Sequence, residues 1–375
     1  MINKKVKSLK IAIALPGLHR VIRGAEVALE SIAFELAKME GLEITLFGSG
    51  YPKENHSYHF IHIDNTPREK FESWLKFPIF RSEYAYEEFT FFLNLQNKYQ
   101  PKDFDLTVAC SYPFINWLFT NKGGKNKPPH VFITQNGDYP ACHNRKEYRF
   151  FQCDGLVCTN PEYYARNKDQ WFSTLIPNGV NPDIFTPAST DRSQFNLPDD
   201  VPIVLMVSAL IPSKRVTEGI KAVSQLENVH LVVCGDGSER DKVLSLGKEK
   251  MRDRFHLLQL SHSQMPDIYR MADVFLHLSL DEPFGIVYLE ALSNGLPIIT
   301  HKNLTSEWIL ENTSFLINTE NEEEIVSTIK KVLASSNNID LINQRINLVK
   351  ERFSWSKISK EYLQFFKEVI VRNRK

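Results

Sequence analysis

The sequence predicts an α/β protein made of two doubly wound domains. Short apolar runs alternate with stretches whose apolar residues recur at three- and four-residue steps, the signature of strands alternating with helices. That alternation breaks off at a proline-rich stretch and then starts again. The 375-residue length is comfortable for two domains, at roughly 100–200 residues each.

The first domain opens with the run Lys10–Leu15, broken by Pro16-Gly17, which predicts a buried strand. Ala25, Ala28, Leu29, Ile32, Ala33, Leu36 and Ala37 predict a helix, and Gly41 is a natural stop. Glu43–Phe47 reads as the second strand, giving the β-loop-α-β start of a doubly wound domain. Further strands are expected at Asp105–Cys110, Val131–Thr134, Gly155–Thr159 and Thr174–Ile176. The aromatic stretch Phe71–Tyr99 reads as a helix packed on the sheet; the alternative is an exposed aromatic and basic surface that touches lipid or a long acceptor.

Pro177–Pro187 carries three prolines and an Asn-Gly turn, and marks the boundary. Strands then follow at Ile203–Ser208, Val229–Cys234, Asp273–Leu278 and Pro297–Thr300. Helices are expected at Val216–Leu226, Ile286–Asn294, Glu322–Ala334 and Asp340–Arg352. Ser356–Arg372 has helical spacing, and either caps the second domain or crosses back onto the first. The expected domains are 1–186, joined by helix 356–375, and 187–355, with a cleft between them at the carboxyl ends of the strands.

Lys+Arg and Asp+Glu both number 45, so there is no global attraction to nucleic acid. No apolar run approaches the roughly 18–20 residues that span a bilayer, and Ile11–Leu15 is too short for a signal-peptide core. The five cysteines lack a C-x-x-C pair, which fits a reducing cytoplasm. Cys142, His143, Cys153 and Cys158 fit no common zinc spacing, and no Asp-x-Asp clamp stands out, so no metal is expected.

The chemistry concentrates in Asp281–Thr300. Glu282 and Glu290 flank the predicted start of a helix, with Gly285 at the turn. A helix start presents free N–H groups and a positive dipole end to a phosphate. A carboxylate on the helix accepts from ribose hydroxyls. Lys214 and Arg215 follow the strand Ile203–Ser208 and could neutralise a diphosphate. Gly235-x-Gly237 reads as a tight turn for close backbone approach, and Gly24 serves the same purpose at the first helix.

These residues resemble the retaining, nucleotide-sugar-dependent glycosyltransferases of family 4, which have the GT-B fold of two Rossmann-like domains. Glu282-x7-Glu290 in its Glu-Pro-Phe-Gly context is similar to that family's paired-glutamate motif. Ile176–Val180 ending in Phe185, the Lys214 segment, Gly235-x-Gly237 and Tyr269–Phe275 match in order and spacing; in the first domain Gly24 and Glu26 are the main anchors. The resemblance implies that Glu290 bonds the donor's ribose, and that Glu282 with the backbone of Phe284, Gly285, Ile286 and Val287 surrounds the donor sugar and diphosphate. It implies that Lys214 neutralises the diphosphate beside Gly24, and that Leu258–Ser261 lies beside the base.

The chain departs from the family pattern in two places. Ser208-Ala209-Leu210 stands where the family has Gly-Arg-Leu, so the second cation is missing unless Arg215 replaces it. Thr134–Pro140 stands where a histidine is usual, leaving Asn136 or Asp138 for the polar role, with His143 near; the alternative is a turn that closes the strand.

The resemblance thus implies a hexosyltransferase that uses a UDP- or GDP-sugar and needs no further cofactor. The acceptor is a hydroxyl of a glycan, lipid-linked or small-molecule partner in cell-surface polysaccharide synthesis. It would work in the cytoplasm, with weak peripheral contact at the inner face of the membrane through the basic start, Arg20, Arg23 and Arg149. The rival readings are a catalytically silent sugar-nucleotide-binding paralogue and a GT-B sugar-nucleotide epimerase.

Overall fold

A computed structural model describes residues 8–54, 56–143, 148–335 and 338–374. The basic start before Ser8 lies outside them. The chain divides into two compact units, Met1–Asn178 with Trp355–Lys375, and Gly179–Ser354. The division falls earlier than the expected residue 186. Val180 bridges Ser354, its N–H donating to the Phe353 carbonyl at 2.9 Å. Phe185 is buried in the core of the second unit. Pro182 and Pro187 therefore belong to that unit's entry, and Pro177 to the last residues of the first unit before the division.

In the first unit the strands are β1 (Leu9–Ala14), β2 (Leu42–Gly48), β3 (His59–His62), β4 (Leu106–Ala109), β5 (His130–Ile133), β6 (Gly155–Cys158) and β7 (Ser173–Leu175). They form one parallel sheet in the order β3-β2-β1-β4-β5-β6-β7. Helices α1 (Gly24–Ala37), α2 (Glu83–Lys98), α3 (Phe114–Asn121), α4 (Tyr139–Cys142) and α5 (Pro161–Asn167) connect them. Buried side chains cover both sheet faces, Ile11 and Ile13 on one and Ala12 and Ala14 on the other. This is why the central strands read as continuous apolar runs.

In the second unit β8 (Ile203–Val207), β9 (His230–Cys234), β10 (Phe255–Leu258), β11 (Val274–His277), β12 (Ile298–His301) and β13 (Phe315–Ile317) form a parallel sheet ordered β10-β9-β8-β11-β12-β13. Its helices are α6 (Val216–Ser224), α7 (Arg240–Met251), α8 (Met265–Met271), α9 (Ile286–Ser293), α10 (Leu304–Leu310), α11 (Glu322–Ala334) and α12 (Ile339–Leu348). The chain then returns to the first unit as α13 (Trp355–Asn373), which packs on α1. Its inner face buries Ile358, Tyr362, Phe365, Phe366, Val369 and Ile370. Each such side chain is worth about 1.5–3 kcal/mol when removed from water.

One predicted element is shorter than expected. The stretch 71–99 is helical only from Glu83, after a 3-10 turn at Arg68–Phe71. Pro78 disfavours helix at the residue before it. Ser82 is extended and stands at the N-terminal boundary of α2. The helix buries Ala85, Tyr86, Phe91 and Leu95, whereas Trp74, Leu75, Phe77 and Ile79 in the preceding loop are exposed.

Candidate functional site

The second sheet reverses its winding between β8 and β11, because β8 neighbours both β9 and β11. Ligands of open parallel sheets bind outside the carboxyl ends of the strands at such a point. Two loops leave the sheet there. The one after β8 makes a 3-10 turn at Pro212–Lys214; the one after β11 runs from Leu278 to Gly285. They bring Lys214 and Glu282 together, with Nζ 2.5 Å from Oε2. His277, the last residue of β11, is 3% exposed and holds the same oxygen from Nε2 at 2.8 Å. Burial alone would push the Glu282 carboxyl up. The hydrogen bond and charge of His277, together with Lys214, outweigh it and leave the group at about 2.

Gly285 starts α9 with a φ of 75°, a left-handed conformation that favours glycine. A Cβ there would lie 2.7 Å from the Tyr288 ring and 3.1 Å from Cγ of Glu282. The turn is thus packed tightly against Glu282 and Tyr288, and the first N–H groups of α9 beside it have no intrahelical acceptor. Phe284 is buried against Trp308 and Phe353, so its side chain anchors the turn and leaves its backbone as the usable group. Glu290 sits one turn into α9 and accepts from the Tyr269 hydroxyl at 2.6 Å. Burial raises its carboxyl to about 7 despite that bond.

The flanking segments have more structural roles. Arg215 is left-handed, with a φ of 53°, and donates to the Leu278 carbonyl and to Thr319 Oγ1, both at 3.3 Å. Its charge is thus engaged in tying the β8 loop to the β11 loop. Gly235 and Gly237 have a steric reason to be glycines. A Cβ would lie 1.9 Å from the Ser208 carbonyl oxygen at Gly235 and 2.5 Å from the Leu210 one at Gly237. They let this turn lie on the backbone around Ala209. Leu258, the start of the segment expected beside the base, accepts from the Gly235 N–H at 3.2 Å.

In the first unit Gly24 is the exposed first residue of α1, and Glu26 is buried beneath it, its carboxyl raised by desolvation. Asn136 is exposed at the end of a 3-10 turn, its amide 3.5 Å from the Cys110 carbonyl. Asp138 does not fit the expected polar role. It is 1% exposed, and both carboxylate oxygens are occupied: Arg166 donates at 3.0 and 2.9 Å and Asn167 at 2.9 Å. It is a scaffold residue that binds α5 to the turn before α4. Among the described residues Cys142, His143, Cys153 and Cys158 form no metal-sized group, and all five cysteines are free thiols.

Two residues of this site went unassigned in the sequence, His277 and the hydroxyl of Tyr269. His277 lies on a segment read only as an apolar strand, and Tyr269 opens a stretch matched to the family without a role for its hydroxyl. A histidine closing a buried strand five residues before Glu282 is the signal that could have found the first.

Two doubly wound parallel-sheet units, with this charged cluster at the switch point of the second, make an α/β protein of the GT-B type. Residues 188–351, the stretch that holds this site, match the family described as Glycosyl transferases group 1. Curated relatives include the lipopolysaccharide core biosynthesis glycosyltransferase LpsE of Rhizobium meliloti, 26% identical over 62% of this chain and 68% of that one. The lipopolysaccharide 1,2-N-acetylglucosaminetransferase of Salmonella typhimurium is 22% identical over 91% of this chain and 93% of that one. Among solved structures, sucrose-phosphate synthase from Thermosynechococcus elongatus superposes with a TM-score of 0.79 at 19% identity, covering 97% of this chain and all (100%) of that one. Anabaena HepE in complex with UDP-glucose gives a TM-score of 0.75 at 16% identity, covering 96% of this chain and 100% of that one.

Proposed function

We propose that the chain moves a hexose from a UDP- or GDP-sugar to an acceptor hydroxyl of a cell-surface glycan, with retention at the anomeric carbon. The observation that carries this reading is the Lys214–Glu282–His277 group beside the start of α9, with Glu290 one turn on. The acceptor oxygen bonds to the anomeric carbon as the bond to the diphosphate breaks. The acceptor's proton passes to a departing phosphate oxygen. Lys214 and the first N–H groups of α9 stabilise the negative charge that develops there, so the step calls for no divalent metal. Glu282, held ionised by His277, positions Lys214 and accepts from sugar hydroxyls. Glu290 accepts from the ribose. On this reading Phe284, Gly285, Ile286 and Val287 act through their backbone, and Arg215 keeps the β8 loop in place. The lipopolysaccharide enzymes among the relatives support a glycan acceptor, and the UDP-glucose complex of HepE supports a uridine donor.

Thermal-shift measurements against UDP-, GDP- and ADP-sugars test the donor. The cognate one is expected to raise the melting temperature, since a ligand that binds only the folded state stabilises it. Glu290→Ala is expected to abolish that shift. A full shift in the variant would place the nucleotide elsewhere.

The same reading extends to a lipid-linked acceptor reached from the cytoplasm by weak contact with an anionic membrane. No described helix is long and apolar enough to cross a membrane. The basic side chains first assigned to that contact are largely engaged. Arg20 pairs with Glu87, Arg23 with Glu69 at 3.2 Å, and Arg149 lies 4.5 Å over the Phe150 ring. Cofloatation with anionic vesicles is accordingly expected to be weak and to vanish at high salt. Its absence at low salt would remove membrane contact from the reading.

A further inference from the structure

Apart from the nucleotide site, the first unit gathers two imidazoles and a carboxylate from three separate segments. His19 lies in the loop after β1, Glu30 on α1, and His56 in the loop before β3. One ligand atom from each lies within 4.8 Å of the other two. His19 Nε2 and Glu30 Oε1 are 3.5 Å apart. Two zinc bonds of about 2.0–2.1 Å at a tetrahedral angle set their ligand atoms roughly 3.3–3.4 Å apart. The spacing is already that of one edge of a zinc tetrahedron.

The hydrogen bonding around the cluster points the same way. His19 Nδ1 lies 2.9 Å from the Tyr51 carbonyl oxygen, so that nitrogen carries the proton and donates. This leaves a lone pair on Nε2 facing Glu30 and Tyr58, the arrangement that second-shell carbonyls impose on metal-bound histidines. His19 itself holds a left-handed backbone, with a φ of 62°, and its ring stacks on Phe60 at 3.9 Å. The side chain is 0% exposed, so the ring is fixed in this orientation. Both ring nitrogens of His56 are buried and find no hydrogen-bond partner among the described residues. A buried imidazole with two idle nitrogens costs free energy, and a metal bond to one of them would recover part of it. Tyr58 completes the set: its hydroxyl is 2.9 Å from His19 Nε2 and 3.3 Å from Glu30 Oε1.

We propose that His19, Glu30 and His56 bind one zinc ion, with the Tyr58 oxygen or a water in the fourth position. Lys53, whose ammonium now pairs with Glu30, is 47% exposed and swings into solvent as the ion enters. The ion would bind the β1 loop, α1 and the β2–β3 loop into one rigid corner. Gly24, the start of α1, follows directly from that corner. No zinc motif is visible in the sequence because the three ligands are contributed by distant segments.

Zinc and cobalt titrations of the chelator-treated full-length protein test this. One equivalent of zinc is expected to bind and to raise the melting temperature, and cobalt is expected to show the d–d absorption of a tetrahedral site. His56→Ala and Glu30→Gln should each weaken zinc binding by about 100-fold or more and remove the cobalt bands. Neither side chain is a core residue of the sheet, so both variants are expected to fold, which circular dichroism checks. Failure of the folded wild-type protein to take up an equivalent of zinc would overturn the proposal. So would unchanged binding in both variants, which would assign the metal to the free thiols.

Discussion

Lys214→Ala is expected to lower the turnover number by about 10²–10³-fold while leaving a folded protein. Lys214 Nζ is 2.5 Å from a carboxylate that His277 also holds, and its side chain is 20% exposed. Removing it leaves Glu282 with its His277 partner, so no buried charge is stranded alone. The stability loss should therefore stay below the roughly 3–5 kcal/mol of a broken buried pair. On the proposed function the kinetic loss is larger, because the cation acts on the additional negative charge that develops as the diphosphate leaves. An interaction made in the transition state lowers kcat; one made equally with bound donor raises KM alone. Steady-state kinetics with the cognate donor separate the two. A Lys214→Ala enzyme with unchanged kcat and a raised KM would reduce Lys214 to a binding residue. Glu282→Gln is the companion measurement. It removes the negative charge that steadies Lys214 and His277 and should lower kcat as well, with the fold intact.

The sequence makes most of this site legible because its main residues lie in contiguous stretches. Glu282, Gly285 and Glu290 share one turn and helix, and the glycine is demanded by a φ of 75° that its neighbours in sequence already suggest. The central strands are legible for a related reason: burial on both faces gives them uninterrupted apolar runs. The strands that escape are β3, β10 and β13, each at the edge of a sheet and three or four residues long. An edge strand is half solvated and carries too few residues for its period to show. The scaffold role of Asp138 is hidden for a different reason. Its partner Arg166 is 28 residues away, on a helix whose docking no local pattern reveals. His277 shows the same limit at short range, since a buried strand end and a buried ligand to a carboxylate look alike until the loop after it is folded.

The second large effect expected is on pH dependence. Burial lifts the Glu290 carboxyl from the ordinary 4.5 to about 7, with only the Tyr269 hydroxyl to offset it. Between those two values the folded protein keeps a proton that the unfolded chain has lost. Stability of the free protein therefore falls as pH rises through that window, by on the order of 3 kcal/mol at most. Glu290→Gln removes the titration and should stabilise the free protein at pH 8 while changing little at pH 5. Donor binding should run in the opposite direction. Oε2 already accepts from the Tyr269 hydroxyl, so a proton on the carboxyl makes Oε1 a donor, whereas the ionised form leaves Oε1 free to accept from the ribose. Nucleotide affinity is thus expected to rise as pH passes through about 7 and then level off. Glu290→Gln should bind at least about tenfold more weakly and without that rise. Calorimetric titration of UDP or GDP across this range measures both. A wild-type affinity that is flat with pH, or a Gln variant that keeps the full rise, would mean that some group other than Glu290 meets the sugar of the nucleotide. Because Glu282 is already ionised near neutrality, its carboxyl at about 2 cannot produce a rise in that window. The profile therefore distinguishes the two glutamates without a bound structure.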